Sequence, residues 1–268
     1  MRIVTASEPG DAAKASEDWI LADRDTVIVL DGATARTETG CTHGIAWFAA
    51  KLGSAIASTA VDKSLELKEV LAQAIAHTAD QHRDCDLEHV GTPSTAVGIV
   101  RQQTDALEYL VLGDVTLVLD SGYELAVITD DRVDTTAVEE RAEAARHPFG
   151  TEEKRLALLR MKHAELAVRN QPNGYWVAAA DPSAANHAIT GTVSTTGMRR
   201  FAVLTDGAAR AVVLFQLFDW HALLDTMENK GPSWLISRVR ELEASDPTGG
   251  KWLRNKRSDD ASAVFVGY

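Results

Sequence analysis

The sequence predicts an α+β layered domain, because its helix-forming and strand-forming stretches fall into separate blocks rather than alternating. Two helical stretches follow an early buried strand. A run of short strands set apart by turn dipeptides comes next, then helices, strands and helices again, and a closing strand. A doubly wound parallel sheet would alternate strand and helix more regularly.

Residues 27–30 form a short apolar run ending at Asp31-Gly32, which predicts a buried strand with a sharp exit. Across residues 45–60, Trp47, Phe48, Leu52 and Ile56 recur near helical spacing. Residues 65–82 continue with Leu67, Val70, Leu71 and Ile75, after a break at Asp62-Lys63-Ser64. Residues 94–100, 107–112, 115–119 and 123–128 are β-rich. Residues 102–105, Gly113-Asp114 and Asp120-Ser121-Gly122 separate them, which predicts a run of antiparallel hairpins. Residues 136–169 return to Ala, Glu, Leu and Arg, and His147-Pro148-Phe149-Gly150 splits them into two helices.

A second β block covers residues 175–179, 187–194 and 200–204, the last ending at Asp206-Gly207. Residues 208–227 predict one apolar helix. Gly231-Pro232-Ser233 opens another that stops near Asp246-Pro247, and Asp259-Asp260 leads into a final strand at 261–266. No repeat, low-complexity tract or linker divides the chain, so residues 1–268 read as one domain.

Composition narrows the function. Hydrophobic residues make up 45%, enough for a substantial core. The 27 basic against 39 acidic residues leave a formal charge of −12, which disfavours nucleic acid and anionic membrane as partners. Residues 1–19 lack the apolar run of a signal peptide. The apolar stretch 211–218 is interrupted by Gln216 and is too short to span a bilayer. The two cysteines, Cys41 and Cys85, form no Cys-x-x-Cys pair and suit a reducing compartment, so a cytoplasmic location is expected. His77 and His82 are five apart and do not share a helical face, and Cys41 with His43 is an incomplete metal pattern. No zinc site is expected, and the histidines are read as surface or satisfied core groups. The basic stretch 251–257 is read as a solvated loop. No Gly-x-Ser-x-Gly elbow, Walker loop or Gly-x-Gly-x-x-Gly occurs.

Three acidic turns share one design. Asp31-Gly32 follows residues 27–30, Asp206-Gly207 follows residues 201–205, and Asp259-Asp260 precedes residues 261–266. Each places a carboxylate at the mouth of a buried strand. One Asp-Gly alone is an ordinary turn, because Gly accepts positive φ and Asp bonds its own backbone. Three such acids, with Glu17-Asp18 ahead of the first strand, can converge at one sheet edge. Converging carboxylates repel one another unless a cation neutralises them, and hard oxygen donors suit Mg²⁺, Mn²⁺ or Ca²⁺. Two such ions about 4 Å apart can activate a shared water for attack on phosphorus.

The ordered set resembles the metal-dependent type 2C Ser/Thr protein phosphatase family, particularly its compact bacterial members, over residues 16–266. Glu17-Asp18 resembles that family's Asn-Glu-Asp element, and Asp31-Gly32 its Asp-Gly after the second strand. Residues 91–96 resemble its Gly-Thr-Thr strand start, and Gly113-Asp114-Val115 its Gly-Asp-Ser turn. Thr129-Asp130-Asp131 resembles Thr-x-Asp-His, Thr205-Asp206-Gly207 resembles Ser-Asp-Gly, and Asp259-Asp260-Ala261-Ser262 resembles the closing Asp-Asn-x-Ser/Thr.

The resemblance implies an α/β/β/α sandwich of two mainly antiparallel sheets flanked by helix pairs. It implies a centre of two Mn²⁺ or Mg²⁺ ions, with a third ion more weakly held, that hydrolyses phosphoserine and phosphothreonine in a phosphorylated protein substrate. On that footing Asp31, Asp206 and Asp259 are the catalytic candidates. Asp31 bridges both ions and the Gly32 carbonyl assists, Glu17 serves the second ion, Asp206 and Asp259 bind the first, and Asp131 matches the acid of the third. Asp18, Asp114 and Asp260 stand behind these ligands. The family's phosphate-gripping Arg is Ala13 here, the His after Asp-Gly is Ala33, and Asp-His is Asp131-Arg132. Lys14 and Arg36 are the remaining phosphate-binding candidates. The altered grip motivates an alternative, a catalytically inactive regulator of the same fold that binds a partner protein. Hydrolysis of a small phosphorylated metabolite is a third reading.

Overall fold

The computed structural model describes residues 1–268. It contains two five-stranded sheets whose neighbouring strands all run antiparallel. One has the order β2 (Trp19–Ala22), β3 (Thr26–Gly32), β4 (Thr95–Gln102), β5 (Ala106–Leu112), β8 (Ile189–Ser194). The other has β1 (Arg2–Glu8), β10 (Ala261–Gly267), β9 (Arg200–Leu204), β6 (Thr116–Asp120), β7 (Leu125–Ile128).

The side-chain period of a strand explains the layers. On β3, Val27 and Val29 face the second sheet, while Ile28 and Leu30 face helices α1 (Ile45–Thr59) and α2 (Leu67–Ala79). On β9, Phe201 and Val203 face inward between the sheets. Ala202 and Leu204 face helices α5 (Asp206–Val213), α6 (Trp220–Lys230) and α7 (Pro232–Ser245). Strands buried on both faces read as unbroken apolar runs, which is why these were legible. Full burial of each such Leu, Ile or Phe contributes about 1.5–3 kcal/mol.

The fold is therefore an α/β/β/α sandwich, with two additions. Three helices rather than two cover the second sheet, because the apolar stretch predicted as one helix breaks in the middle. Gln216 takes a left-handed φ of 50°, and the Asp219 carboxylate caps α6 by accepting the Ala222 N–H at 2.8 Å. Helices α3 (Val138–Arg146) and α4 (Glu152–Val168) cover neither sheet and pack on each other around Ala144, Ala157, Leu158 and Met161. Their break falls where expected, since His147 before Pro148 is held extended at φ −83°, ψ 138°.

Several strand expectations differ from the structure. β1 and β2 lie at sheet edges and are half-buried, so no apolar run marks them. Residues 175–179 form no strand and make one bridge, Ala178 to Thr95. β5 and β6 do not pair as a hairpin. The Gly113-Asp114 turn carries the chain from one sheet to the other, with Gly113 at φ 80° against the Ala96 side chain.

Buried arginines stitch the layers. Arg101 on β4 is 1% exposed and donates to the Asp62 and Leu65 carbonyls between α1 and α2, and to Glu108. Arg200 on β9 binds Asp120, Asp225 and Glu228, fastening α6 to its sheet.

Candidate active site

Three sequence-distant aspartates meet in one cavity of about 250 Å³ at the end of the sandwich. Asp31 arrives on the last turn of β3, Asp206 on the first residue of α5 directly after β9, and Asp259 just before β10. Asp114, at the crossover between the sheets, lines the same cavity, as does Gly32. The Asp206 N–H donates to Asp31 Oδ2 at 3.0 Å.

The glycines of both Asp-Gly pairs are required by close packing rather than by positive φ. A Cβ on Gly32 would sit 2.5 Å from the Glu17 carbonyl oxygen, and one on Gly207 would sit 2.0 Å from that of Asp260. Each glycine lets a second acidic segment approach. Glu17 thereby lies next to Gly32, where its Oε2 accepts the Thr34 hydroxyl at 2.5 Å. Asp260 accepts the backbone N–H groups of Gly10 at 2.7 Å and Glu17 at 2.5 Å, so it orients the segment bearing Glu17. Asp18 is buried and accepts the Thr205 hydroxyl at 3.0 Å.

The electrostatics divide the cluster. Burial, reinforced by Asp206 and then by Asp18, Asp114 and Asp259, pushes Asp31 well above the usual carboxylate range. Burial and the Asp259 charge raise Asp206, against the pull of Arg210 and Lys256. Burial, then Asp206, lifts Asp114 to about 7, and burial lifts Asp18 to about 8. Asp259 behaves oppositely. Burial would raise it, but Lys256 and Arg210 hold it below its ordinary value. The Lys256 ammonium lies 2.5 Å from one Asp259 oxygen and the Arg210 guanidinium 3.0 Å from the other. Glu243 fixes Arg210 from behind at 2.6 Å.

These features decide how well a cation fits. Asp31 and Asp206 have no ion-pair partner, and Asp206 Oδ1 is buried without a hydrogen bond. Hard, crowded, under-neutralised oxygens suit Mg²⁺ or Mn²⁺. Asp31, Asp206 and the Gly32 carbonyl therefore fit a divalent ion. Asp259 fits only if it exchanges one of its two cationic partners.

Of the remaining predicted residues, only Arg36 reaches the cavity. Asp131 is exposed at the start of a short 3-10 turn and does not line the cavity, and its neighbour Asp130 is bound by Arg132. Lys14 is 78% exposed, close to Asp11, on the wall of an adjoining groove of about 920 Å³. Arg36 lines both groove and cavity.

Sequence reasoning missed the cationic side of the cavity, made by Lys256, Arg210, Arg141 and Lys162. Stretch 251–257 is not wholly a solvated loop. Lys256 turns inward, and Arg254 is 5% exposed, bound to Asp246 at 2.7 Å. The sequence signal was the Lys256-to-Asp259 spacing. Arg141 and Lys162 come from the α3–α4 pair, which no local motif places over the site. A second difference concerns Cys41, His43, His82 and Cys85, read as unrelated, which come together in space.

No protein-family model matches the chain. No curated protein matches it either. Solved structures do, and the chain has the fold of the type 2C Ser/Thr phosphatases. The Mycobacterium tuberculosis serine/threonine phosphatase PstP/Ppp superposes with a TM-score of 0.61 at 15% identity, covering 99% of this chain and 97% of that one. The PstP catalytic domain in complex with two manganese ions gives 0.56 at 15% identity, covering 99% and 97%. Stp1 from Staphylococcus aureus gives 0.59 at 13% identity, covering 99% and 94%. No helix of this chain is long and apolar enough to cross a membrane.

Proposed function

We propose that this chain is a metal-dependent phosphatase acting on phosphoserine and phosphothreonine in proteins, in the cytoplasm. The observation that carries the reading is the pairing of Asp31 and Asp206, from opposite sheets, around a buried carboxylate oxygen with no partner. Phosphatases of the same fold, one solved with two manganese ions, support it.

In this reading Asp31, Asp206 and the Gly32 carbonyl hold divalent cations, with Glu17 and Asp259 completing the set and Asp131 left to a more weakly held third ion. Cations bound there would neutralise phosphoryl oxygens and lower the pKa of a bound water. The chain's own groups do the rest. Asp260 and Thr34 position Glu17. Asp18 lies behind the ligands as a buried carboxyl and Asp114 stands beside them on the cavity wall, and both tune their charge. Arg36, at the junction of groove and cavity, grips the substrate phosphate bidentately, with Lys14 further out on the groove wall. The adjoining groove of about 920 Å³, which also carries Arg155 and Arg257, gives a phosphopeptide room beyond the phosphate itself.

The test is Mn²⁺-stimulated hydrolysis of p-nitrophenyl phosphate and of phosphopeptides, with Asp31→Asn and Asp206→Asn as controls. Activity in the wild type that both substitutions abolish is expected. Equal activity in all three proteins would sink the assignment.

One observation favours a second reading, a regulator that binds a phosphorylated partner without turning it over. Both Asp259 oxygens are already taken, by Lys256 and Arg210. Phosphopeptide binding without hydrolysis at any Mn²⁺ concentration would establish that reading instead.

A further inference from the structure

The chain's two cysteines and two of its histidines gather at a place that touches neither the carboxylate cavity nor the groove. The loop that leaves Gly32 for α1 supplies Cys41 and His43. The turn after α2 supplies His82 and Cys85. Cys41 Sγ lies 3.5 Å from Cys85 Sγ and 3.6 Å from His43 Nδ1, and Cys85 Sγ lies 3.4 Å from the same nitrogen. The ligand atoms of Cys41, His43 and His82 all lie within 4.8 Å of one another. In a tetrahedral zinc site, bonds of about 2.3 Å to sulfur and about 2.0 Å to nitrogen put neighbouring ligand atoms roughly 3.3–3.8 Å apart. The three separations among Cys41, Cys85 and His43 fall in that range.

His82 supplies an independent observation. Its Nδ1 is 2.9 Å from the Thr78 carbonyl oxygen, and a carbonyl only accepts, so Nδ1 carries the proton and donates. That fixes the tautomer and leaves a lone pair on Nε2. The residue is 4% exposed, and Nε2 is buried with no hydrogen-bond partner. Leaving such an acceptor unpaired in the interior is unfavourable, and a bound cation would satisfy it. A ligating imidazole held by a backbone carbonyl through its other nitrogen is the usual arrangement behind a metal.

The surroundings suit bound thiolates. The His43 N–H points at Cys41 Sγ at 3.3 Å, and the Thr42 hydroxyl lies 3.9 Å from Cys85 Sγ. Trp47 forms a plate beside the cluster, stacked on His43 at 4.1 Å and edge-on to His82 at 4.7 Å. The two loops are already packed. The Asp86 N–H donates to the Gly40 carbonyl at 2.8 Å, and a Cβ on Gly91 would meet the Glu38 carbonyl oxygen at 2.1 Å.

We propose that Cys41, His43, His82 and Cys85 form a structural zinc site that pins the loop after Asp31-Gly32 onto the end of α2. Two sulfurs and two imidazole nitrogens select zinc over magnesium, manganese or calcium. Four protein ligands leave no open position, which marks a structural centre rather than a hydrolytic one. The pinned loop also carries Thr34, which binds Glu17, and Arg36. The zinc site thus holds two groups of the neighbouring cavity in place without touching substrate.

The test uses the full chain, purified under reducing conditions without chelator, in wild-type form and as an Asp31→Asn/Asp206→Asn double variant. About one zinc per chain is expected in both, by elemental analysis. Cobalt substituted into the double variant should show the visible bands of tetrahedral Co²⁺ and a sulfur-to-cobalt charge-transfer band. Cys41→Ser and Cys85→Ser should lose both. Should those variants fail to fold, thiol titration of the wild type decides. Bound zinc should protect both cysteines, and chelation should release them. Zinc that persists in folded cysteine variants but disappears from the aspartate variant would overturn the proposal. So would a wild-type chain whose thiols stay reactive at saturating zinc, or a Cys41–Cys85 disulfide under reducing conditions. None of these readouts depends on phosphatase activity.

Discussion

Asp206 donates its backbone N–H to the Asp31 carboxylate at 3.0 Å, although the two residues are 175 positions apart, Asp31 on β3 of one sheet and Asp206 opening α5 directly after β9 of the other. The bond brings two half-buried carboxylates together with no lysine or arginine paired to either, an arrangement that favours ligand binding over stability. Asp206→Asn removes one of the repelling charges. It should raise the metal-free stability by about 0.5–2 kcal/mol and abolish the Mn²⁺-induced rise in melting temperature. Thermal melts with and without Mn²⁺ check both parts, and an Asn variant less stable than the wild type in the absence of metal would contradict the first.

Lys256 competes with any divalent ion for Asp259, its ammonium lying 2.5 Å away. Lys256→Met should tighten Mn²⁺ binding about tenfold, equivalent to about 1.4 kcal/mol. Manganese titration followed by electron paramagnetic resonance measures it. An unchanged affinity would mean that the ion never engages Asp259.

Gly32→Ala should damage the site from behind. The new methyl would meet the Glu17 carbonyl at 2.5 Å and the Ile45 side chain at 2.7 Å, and both surroundings are packed. Overpacking of this kind costs about 1–3 kcal/mol, readable as a lower urea midpoint at unchanged m-value.

Asp246 predicts a pH effect away from the cavity. At the end of α7 its carboxylate accepts the N–H groups of Gly250, Lys251 and Trp252 and pairs with buried Arg254. Burial opposes ionisation here, but the Trp252 N–H, Arg254 and the Lys251 N–H outweigh it and hold the group down at about 2. A depressed folded value stabilises above the unfolded value of 3.8, and that contribution fades as pH falls toward about 2. Asp246→Ala should therefore cost about 3–5 kcal/mol near neutral pH, with the gap to wild type narrowing below pH about 4. Denaturation curves across that range would show it, and a pH-independent gap would argue against it.

The legible parts of the fold were those whose signal is local. β3, β9 and β10 carry apolar residues on both faces because each is covered on both sides, and the Pro148 break needs only its own neighbours. β1 and β2 escaped notice because an edge strand has one partner and half its side chains in water. The aspartates could be picked out because strand ends share a location by construction. Lys256, Arg141 and Lys162 could not, since their inward orientation depends on where a loop and a helix pair come to rest. The cysteine–histidine cluster was hidden for the same reason. Its members look incomplete in each segment, and only the packing of Gly40 and Gly91 on the opposite loop joins them.

The crossover at Gly113-Asp114 means that the acidic pocket is assembled from both halves of the sandwich at once, Asp31 from one and Asp206 with Asp259 from the other. An ion shared across that seam would act as a rivet between the two sheets. Slippage of either sheet by a single residue would turn a ligand away, so ion affinity becomes a gauge of how well the halves are aligned. Substitutions at the interface between them, such as at Val29 or Val203, should register as weakened ion binding before they register as loss of secondary structure.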